Sequence, residues 1–268
     1  MPGCARGGVH CLPVSVFVLL PTTFITTYII AVLLKHVSPG FPYISDTGTR
    51  SPESCIFGQL LNISAALVAA TVYVRYKQIE EYNSHNTQVL RTNTVALILG
   101  WCAAFGFSLV ANFQETNVLI VHLIGAIMGF GLGSVYAILQ TVMSYKMAPR
   151  INSRCLAHLR LVLTLVIILG FTSTYVWDAI AKHRFHGDDP RKWHPDDGGF
   201  TAHIISTASE WIMAGGMLCF FMTYIPDFKK ITLTSPQVHL LIDRHTISVS
   251  ADYTDPERLL PNGNERTT

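Results

Sequence analysis

Six long apolar segments, separated by short polar stretches, account for most of this 268-residue chain. They cover residues 12–34, 56–74, 92–111, 118–143, 157–181 and 201–225. The hydrocarbon core of a bilayer takes about 20 predominantly apolar residues per helix, and each segment is about that long. Inside lipid no water satisfies backbone N–H and C=O groups, so a spanning segment must bond them internally, as helix. That constraint removes the soluble enzyme folds before any motif is considered. The expected fold class is all-α: a polytopic membrane protein, a bundle of six transmembrane helices with cytosolic termini.

Composition supports this class. Apolar residues make up 50% of the chain and charged residues 13%, about half the charged share of an ordinary soluble domain. The charges lie almost entirely between the apolar segments. A net charge of +2 is too small and too dispersed to suggest nucleic acid. Residues 1–225 form the expected membrane domain. Residues 226–268, rich in Pro, Ser, Thr, Asp and Asn, form an expected disordered cytosolic tail. Arg6 precedes the first apolar stretch, but that stretch is long and lacks a small-x-small site. It is therefore expected to be an uncleaved helix rather than a signal peptide. The six cysteines show no paired spacing, and no disulfide is expected. Cys102 and Cys219 fall inside helices as small hydrophobes, while Cys4 and Cys155 flank the membrane, where palmitate could attach.

Both termini of a six-helix chain lie on one side. Near the helix ends that side holds Arg6, Arg75, Lys77, Arg91, Lys146, Arg150, Arg154, Lys229 and Lys230. The other holds Lys35, Arg50, Lys182, Arg184, Arg191 and Lys192. The excess of basic residues assigns the termini to the cytosol. Residues 35–55, 112–117 and 182–200 then face the lumen or exterior, and residues 75–91 and 144–156 the cytosol. No internal repeat of the transporter kind is evident.

Polar groups inside the segments single out two helices. In the fourth, His122, Gly125, Gly129, Gly133, Tyr136 and Gln140 share one face. Gly125, Gly129 and Gly133 make two overlapping GxxxG units, which admit a neighbouring helix closely. The neighbour is expected within the monomer, with a homo-oligomer through the fourth helix as the alternative. In the sixth, His203, Ser206, Thr207 and Glu210 share one side, with His203 and Glu210 about 10 Å apart along the axis. Burying an acid there is unfavourable, so Glu210 is expected to face protein or a water cavity and to be hydrogen-bonded. Both histidines lie near the mouths of their helices. An unperturbed imidazole titrates near roughly 6.5, so a His122–His203–Glu210 cluster would respond to an acidic lumen. The alternative is polar glue fixing helix register.

No catalytic constellation is visible: GxSxG, P-loop, HExxH and CxxC patterns are absent, and neither cofactor nor metal is expected. Asn62-Ile63-Ser64 is a glycosylation sequon, but its place inside the second segment predicts that it is unused. His183, His186 and His194 share a loop with four aspartates at no rigid ligand spacing, so a solvated loop is expected there.

The loops carry more specific patterns. The first reads Pro42-Tyr43-Ile44-Ser45-Asp46-Thr47-Gly48, then Pro52-Glu53-Ser54 and Phe57. The third segment ends in Val110-Ala111-Asn112-Phe113-Gln114. The last opens on Trp193-His194-Pro195 and His203, carries Glu210-Trp211, and closes on Thr223-Tyr224-Ile225-Pro226-Asp227-Phe228. From Leu12 to about Leu233 the chain resembles the DRAM family, the damage-regulated autophagy modulators. Tyr73-Val74-Arg75-Tyr76-Lys77-Gln78 and Asn264-Glu265-Arg266 bring it nearest the second vertebrate paralogue. The resemblance implies a six-helix, non-enzymatic protein of lysosomal or late endosomal membranes that promotes autophagy and influences cell death (apoptosis). The wider superfamily includes plasma-membrane organisers of phosphoinositide kinases, in which the Ser-Asp-Thr-Gly segment is altered. Here Ser45-Asp46-Thr47-Gly48 is intact, which favours the autophagy branch.

The tail adds an address. In Asp255-Pro256-Glu257-Arg258-Leu259-Leu260 an acidic residue precedes two leucines by four positions, the pattern of an acidic dileucine signal that docks on a clathrin adaptor. The reading from sequence is a lysosomal membrane regulator that organises membrane lipids, autophagy machinery or lipid-kinase components. Its alternatives are a pH-responsive transporter or channel using the His/Glu cluster, and a plasma-membrane adaptor for a phosphoinositide kinase.

Overall fold

A computed structural model describes residues 8–189 and 191–233. Among these, six helices are long and apolar enough to cross a membrane. They are α1 (Cys11–Leu33), α2 (Glu53–Tyr82), α3 (Thr87–Asn112), α4 (Leu119–Met147), α5 (Arg154–Arg184) and α6 (Phe200–Met222). A last helical turn, Ile225–Phe228, continues α6, and a 3-10 turn, Ser45–Gly48, interrupts the first loop. Each helix packs against its neighbour in sequence, and α6 closes the ring against α1.

Most of the helices run past the apolar segments. The largest difference is α2, expected over 56–74 and observed over 30 residues. At about 1.5 Å per residue this is roughly 45 Å, the thickness of the hydrocarbon core plus the headgroup layers. Apolar patterning marks the part in hydrocarbon, whereas helical hydrogen bonding continues through the polar interface. Most of the expected 75–91 loop is therefore helix, and the α2–α3 connection is residues 83–86, with Asn86 capping α3 by accepting from Val89 N. At the other boundary, Asp227 and Phe228 are buried in the bundle, so the tail begins later than residue 226.

The bundle is apolar on its outer surface, and its interior mixes apolar with polar side chains. Val18, Leu33, Phe105, Ile120, Leu169 and Ile212 are each more than half exposed, an arrangement suited to lipid and unfavourable in water. Inside lie Thr23, Ser64, Thr71, Asn93, Ser144 and Thr164. Lipid gives helices no hydrophobic reason to associate, so close packing and interhelical hydrogen bonds hold them together. One such clasp joins α2 to α3: Asn62 bonds Asn112, and Ser108 donates to Asn62 Oδ1 at 2.7 Å. The sequon asparagine is thus engaged in packing.

The glycine face of α4 meets α3 of the same chain. A Cβ on Gly125 would lie 2.9 Å from the Gly106 carbonyl, and one on Gly129 2.8 Å from the Phe107 ring. Gly133 faces Met217 of α6. Residues Ile127–Leu132 of α4 are π-helical, a local widening common at functional sites. With α3 seated on the glycines, a homo-oligomer through α4 would use its outer face, where Ile120, Ile124 and Ile127 are exposed.

Candidate functional site

At the end of the bundle where α1 finishes and α2 begins, the first loop folds back over the helices. Its path is fixed by bonds from backbone to α6. Ile44 N donates to Glu210 Oε2 at 2.8 Å, and Trp211 Nε1 donates to Pro42 O at 3.0 Å. The Tyr43 hydroxyl lies 2.7 Å from Ser206 Oγ and 3.0 Å from Asp178 Oδ1, while Ser206 itself donates to Thr174 O. Burial, and then the neighbouring Asp178 carboxylate, push the Tyr43 phenol far above its ordinary range, so it stays protonated as a donor. Thr47 bonds Thr27 of α1 across 2.9 Å, and a Cβ on Gly48 would strike the Phe57 ring at 2.5 Å. The motif residues are thus the parts of a loop-to-bundle latch. Glu53, wholly buried, adds a contact from α2 to His36.

Beneath this latch lies a cavity of about 110 Å³. Tyr43, Ser45, Glu115, Asp178, Lys182 and Glu210 give it a polar end, and leucines, valines and phenylalanines line the remainder. Lys182 is paired with Asp178 at 3.0 Å, and Ser45 donates to Glu115 at 3.3 Å. The expected His122–His203–Glu210 cluster divides here. His122 and Glu210 both line the cavity, but His122 Nδ1 bonds Phe113 O at 2.8 Å. His203 lies between two rings instead, stacked on Trp193 at 4.3 Å and edge-on to Tyr43 at 5.3 Å. Among the described residues no hydrogen bond links the three. Fixed helical spacing placed the residues on faces, but the loop that inserts between them was not readable from that spacing.

Gln140 belongs elsewhere. At the end of the bundle where α1 begins and α6 finishes, Arg75 of α2 and Arg160 of α5 converge on Asp227, at 3.0 and 2.7 Å to Oδ2. All three are at most 1% exposed. Gln140 and Gln78 accept from Arg75, whereas Arg160 donates to Ser144 Oγ, Thr223 Oγ1 and Thr223 O. Both guanidinium carbons lie 5.1 Å from the Tyr224 ring centroid, within cation–π range. Arg75, expected among the flanking basic residues, is instead a buried strut. Arg160 sits within an apolar run, where no local pattern marks it as a partner of a distant acid. The pairing of two arginines with one distant aspartate leaves no local spacing to detect.

Asp46 provides a pH-dependent feature at the latch. Burial first, then Glu115 and Glu210, raise its carboxyl well above the ordinary value of 3.8, opposed by Arg191 and Lys182. An acid whose folded value is raised binds more protons folded than unfolded, so stability falls as pH rises from about 3.8 through the folded value. Asp46→Asn should therefore raise the unfolding temperature at pH 7.5 and flatten its decline between pH 5 and 7.5. A thermal melt in detergent at the two pH values reads this directly, and an unchanged pH slope would sink it.

The sorting signal Asp255, Leu259 and Leu260 and the membrane-flanking Cys4 lie outside the described residues.

A ring of six membrane helices, latched at one end by the first loop and at the other by a buried ion triad, defines a multi-pass membrane protein. The Frag1/DRAM/Sfk1/Cwh43P N-terminal domain family matches residues 8–231, and the chain belongs to that family. It is 42% identical to DNA damage-regulated autophagy modulator protein 2 of Bos taurus over 229 residues, 84% of this chain and 86% of the relative. The Homo sapiens protein 2 is 40% identical over the same shares. DNA damage-regulated autophagy modulator protein 1 of Homo sapiens is 39% identical over 233 residues, 86% of this chain and 95% of the relative. No solved structure matches.

Proposed function

We propose that this chain is a non-enzymatic regulator of autophagy in the membrane of lysosomes or late endosomes, with both termini cytosolic. The observation that carries the reading is similarity along most of the chain to proteins named as autophagy modulators. The latch supports it, because residues of the first-loop motif, with Glu210 and Trp211 of the last, act in one device holding the first loop on the bundle. In this reading the protein organises autophagy machinery, lipid-kinase components or lipids, and through them influences cell death. The buried triad at the terminal end closes the bundle there, which favours an organiser over a conduit.

The tail signal gives the test. With cytosolic termini, Asp255 and the Leu259-Leu260 pair can reach a clathrin adaptor, which sorts the protein to lysosomes. Leu259→Ala with Leu260→Ala should move most of the protein to the cell surface, measured by surface biotinylation, and lower autophagosome turnover in starved cells. Lysosomal staining that persists in the double variant would refute the address, and unchanged turnover after loss of the whole protein would refute the regulator.

A further inference from the structure

The cavity under the latch is amphipathic, and its two ends are displaced along the bundle. On α2 its lining runs from Phe57 to Val68, eleven helical steps, or about 16 Å of helix axis. The deep part is walled by Leu61, Val68, Phe107, Val110 and Phe130, a surface that excludes water and accepts hydrocarbon. An apolar shaft with a few placed polar groups at one end suits the head and upper chain of an amphiphile, and at about 110 Å³ it takes part of a long alkyl chain.

The polar end specifies the sign of the head. Three carboxylates line it, Glu115, Asp178 and Glu210, against the one ammonium of Lys182, which is engaged with Asp178. Glu210 is 8% exposed and gives Oε2 to Ile44 N, yet its Oε1 takes no hydrogen bond among the described residues. A carboxylate oxygen open to the cavity at the head of an apolar shaft is placed to accept from a cationic N–H. An anionic lipid head would instead meet Glu210 and Glu115 as like charges.

We propose that this cavity binds a single-chain amphiphile with a protonated amine head, its ammonium donating to Glu210 Oε1 beside Glu115 and its alkyl chain filling the shaft towards Phe130. The ligand class is a long-chain amine, whether a sphingoid-type lipid base or a basic amphiphilic compound concentrated in acidic compartments. The site stands whether or not the protein resides in lysosomes, because its evidence is the lining alone.

Purified full-length protein in nanodiscs, titrated with dodecylamine, dodecanol or laurate and read by intrinsic tryptophan fluorescence and thermal shift, tests the idea. Trp211 bonds the latch next to Glu210 and serves as the local reporter. Dodecylamine should bind saturably and more tightly than dodecanol, with laurate weakest. Glu210→Gln, which keeps an oxygen for Ile44 N, should weaken dodecylamine about tenfold and leave dodecanol unchanged, the loss of one charge-assisted hydrogen bond. Glu115→Gln, on a partly exposed loop, should weaken dodecylamine in the same direction and guards against misfolding of the first variant. Equal binding of amine and alcohol, tighter binding of laurate, or indifference of the amine to both substitutions would overturn the proposal. If the amine binds, competition between dodecylamine and sphingosine, and separately chloroquine-like bases, distinguishes the lipid source from the drug-like one.

Discussion

Asp227→Ala should destabilise the bundle more than any other single substitution considered. The carboxylate is shared by two guanidinium groups that are fully enclosed, with N–O distances of 3.0 and 2.7 Å. Removing it leaves two like charges buried around Tyr224 with no anion between them. Breaking a buried pair by deleting one partner costs about 3–5 kcal/mol, a large share of the stability of an ordinary domain. The pair also joins elements far apart in sequence, since Asp227 follows α6 while Arg75 and Arg160 belong to α2 and α5. The variant should therefore melt several degrees lower in detergent and be retained in the endoplasmic reticulum. Packing and charge are separable: Arg75→Met, Arg160→Met and Asp227→Leu combined should recover most of the loss, because a whole buried ion group is often replaceable by apolar residues of similar volume. An Asp227→Ala protein that melts like the parent would remove the triad from the account of stability.

The distribution of such elements explains what sequence reading reaches. The number and approximate position of the helices are legible because hydrocarbon imposes a composition on contiguous residues, and the glycine face of α4 is legible because helical period is local. The partner of that face is not. Gly106 is one of two glycines in α3, and no glycine lies four residues from it to mark it as the residue on which α4 rests. The latch is a mixed case. Glu210 is conspicuous as an acid in an apolar helix, but its partner is the backbone N–H of Ile44, a group that every residue other than proline carries and that no pattern can single out. Arg75 follows the same rule: a basic residue at the edge of an apolar segment has the pattern of a membrane flank, but the helix continues for two further turns and Asp227 approaches from beyond α6. Long-range pairing decides where polar groups go, and spacing rules carry no information about it.

Gly106→Val should produce the second large effect, and it tests the α3–α4 contact on which the cavity depends. A Cβ at this position would meet Gly129 N at 2.5 Å, Gly125 O at 2.6 Å and Met128 Cβ at 2.7 Å. Two of these atoms are backbone, which cannot rotate away, so the helices must separate. Overpacking of this kind costs typically about 1–3 kcal/mol and sometimes more, and here the strain falls on a contact made by main chain on both sides. Phe107 and Val110 of α3 line the cavity together with Ala126 and Phe130 of α4, the Phe107 and Phe130 rings in edge contact at 5.4 Å, so separation should also loosen the shaft and weaken dodecylamine binding. Gly215→Ala is the matched control, because a Cβ there meets nothing within 4 Å and alanine is the better helix former in any case. The expected order of melting temperature is Gly215→Ala at or above the parent, Gly106→Ala below it, and Gly106→Val lowest. If Gly106→Ala melts with Gly215→Ala, the two helices are free to move apart at no cost, and the narrow α3–α4 seam does not fix the width of the cavity.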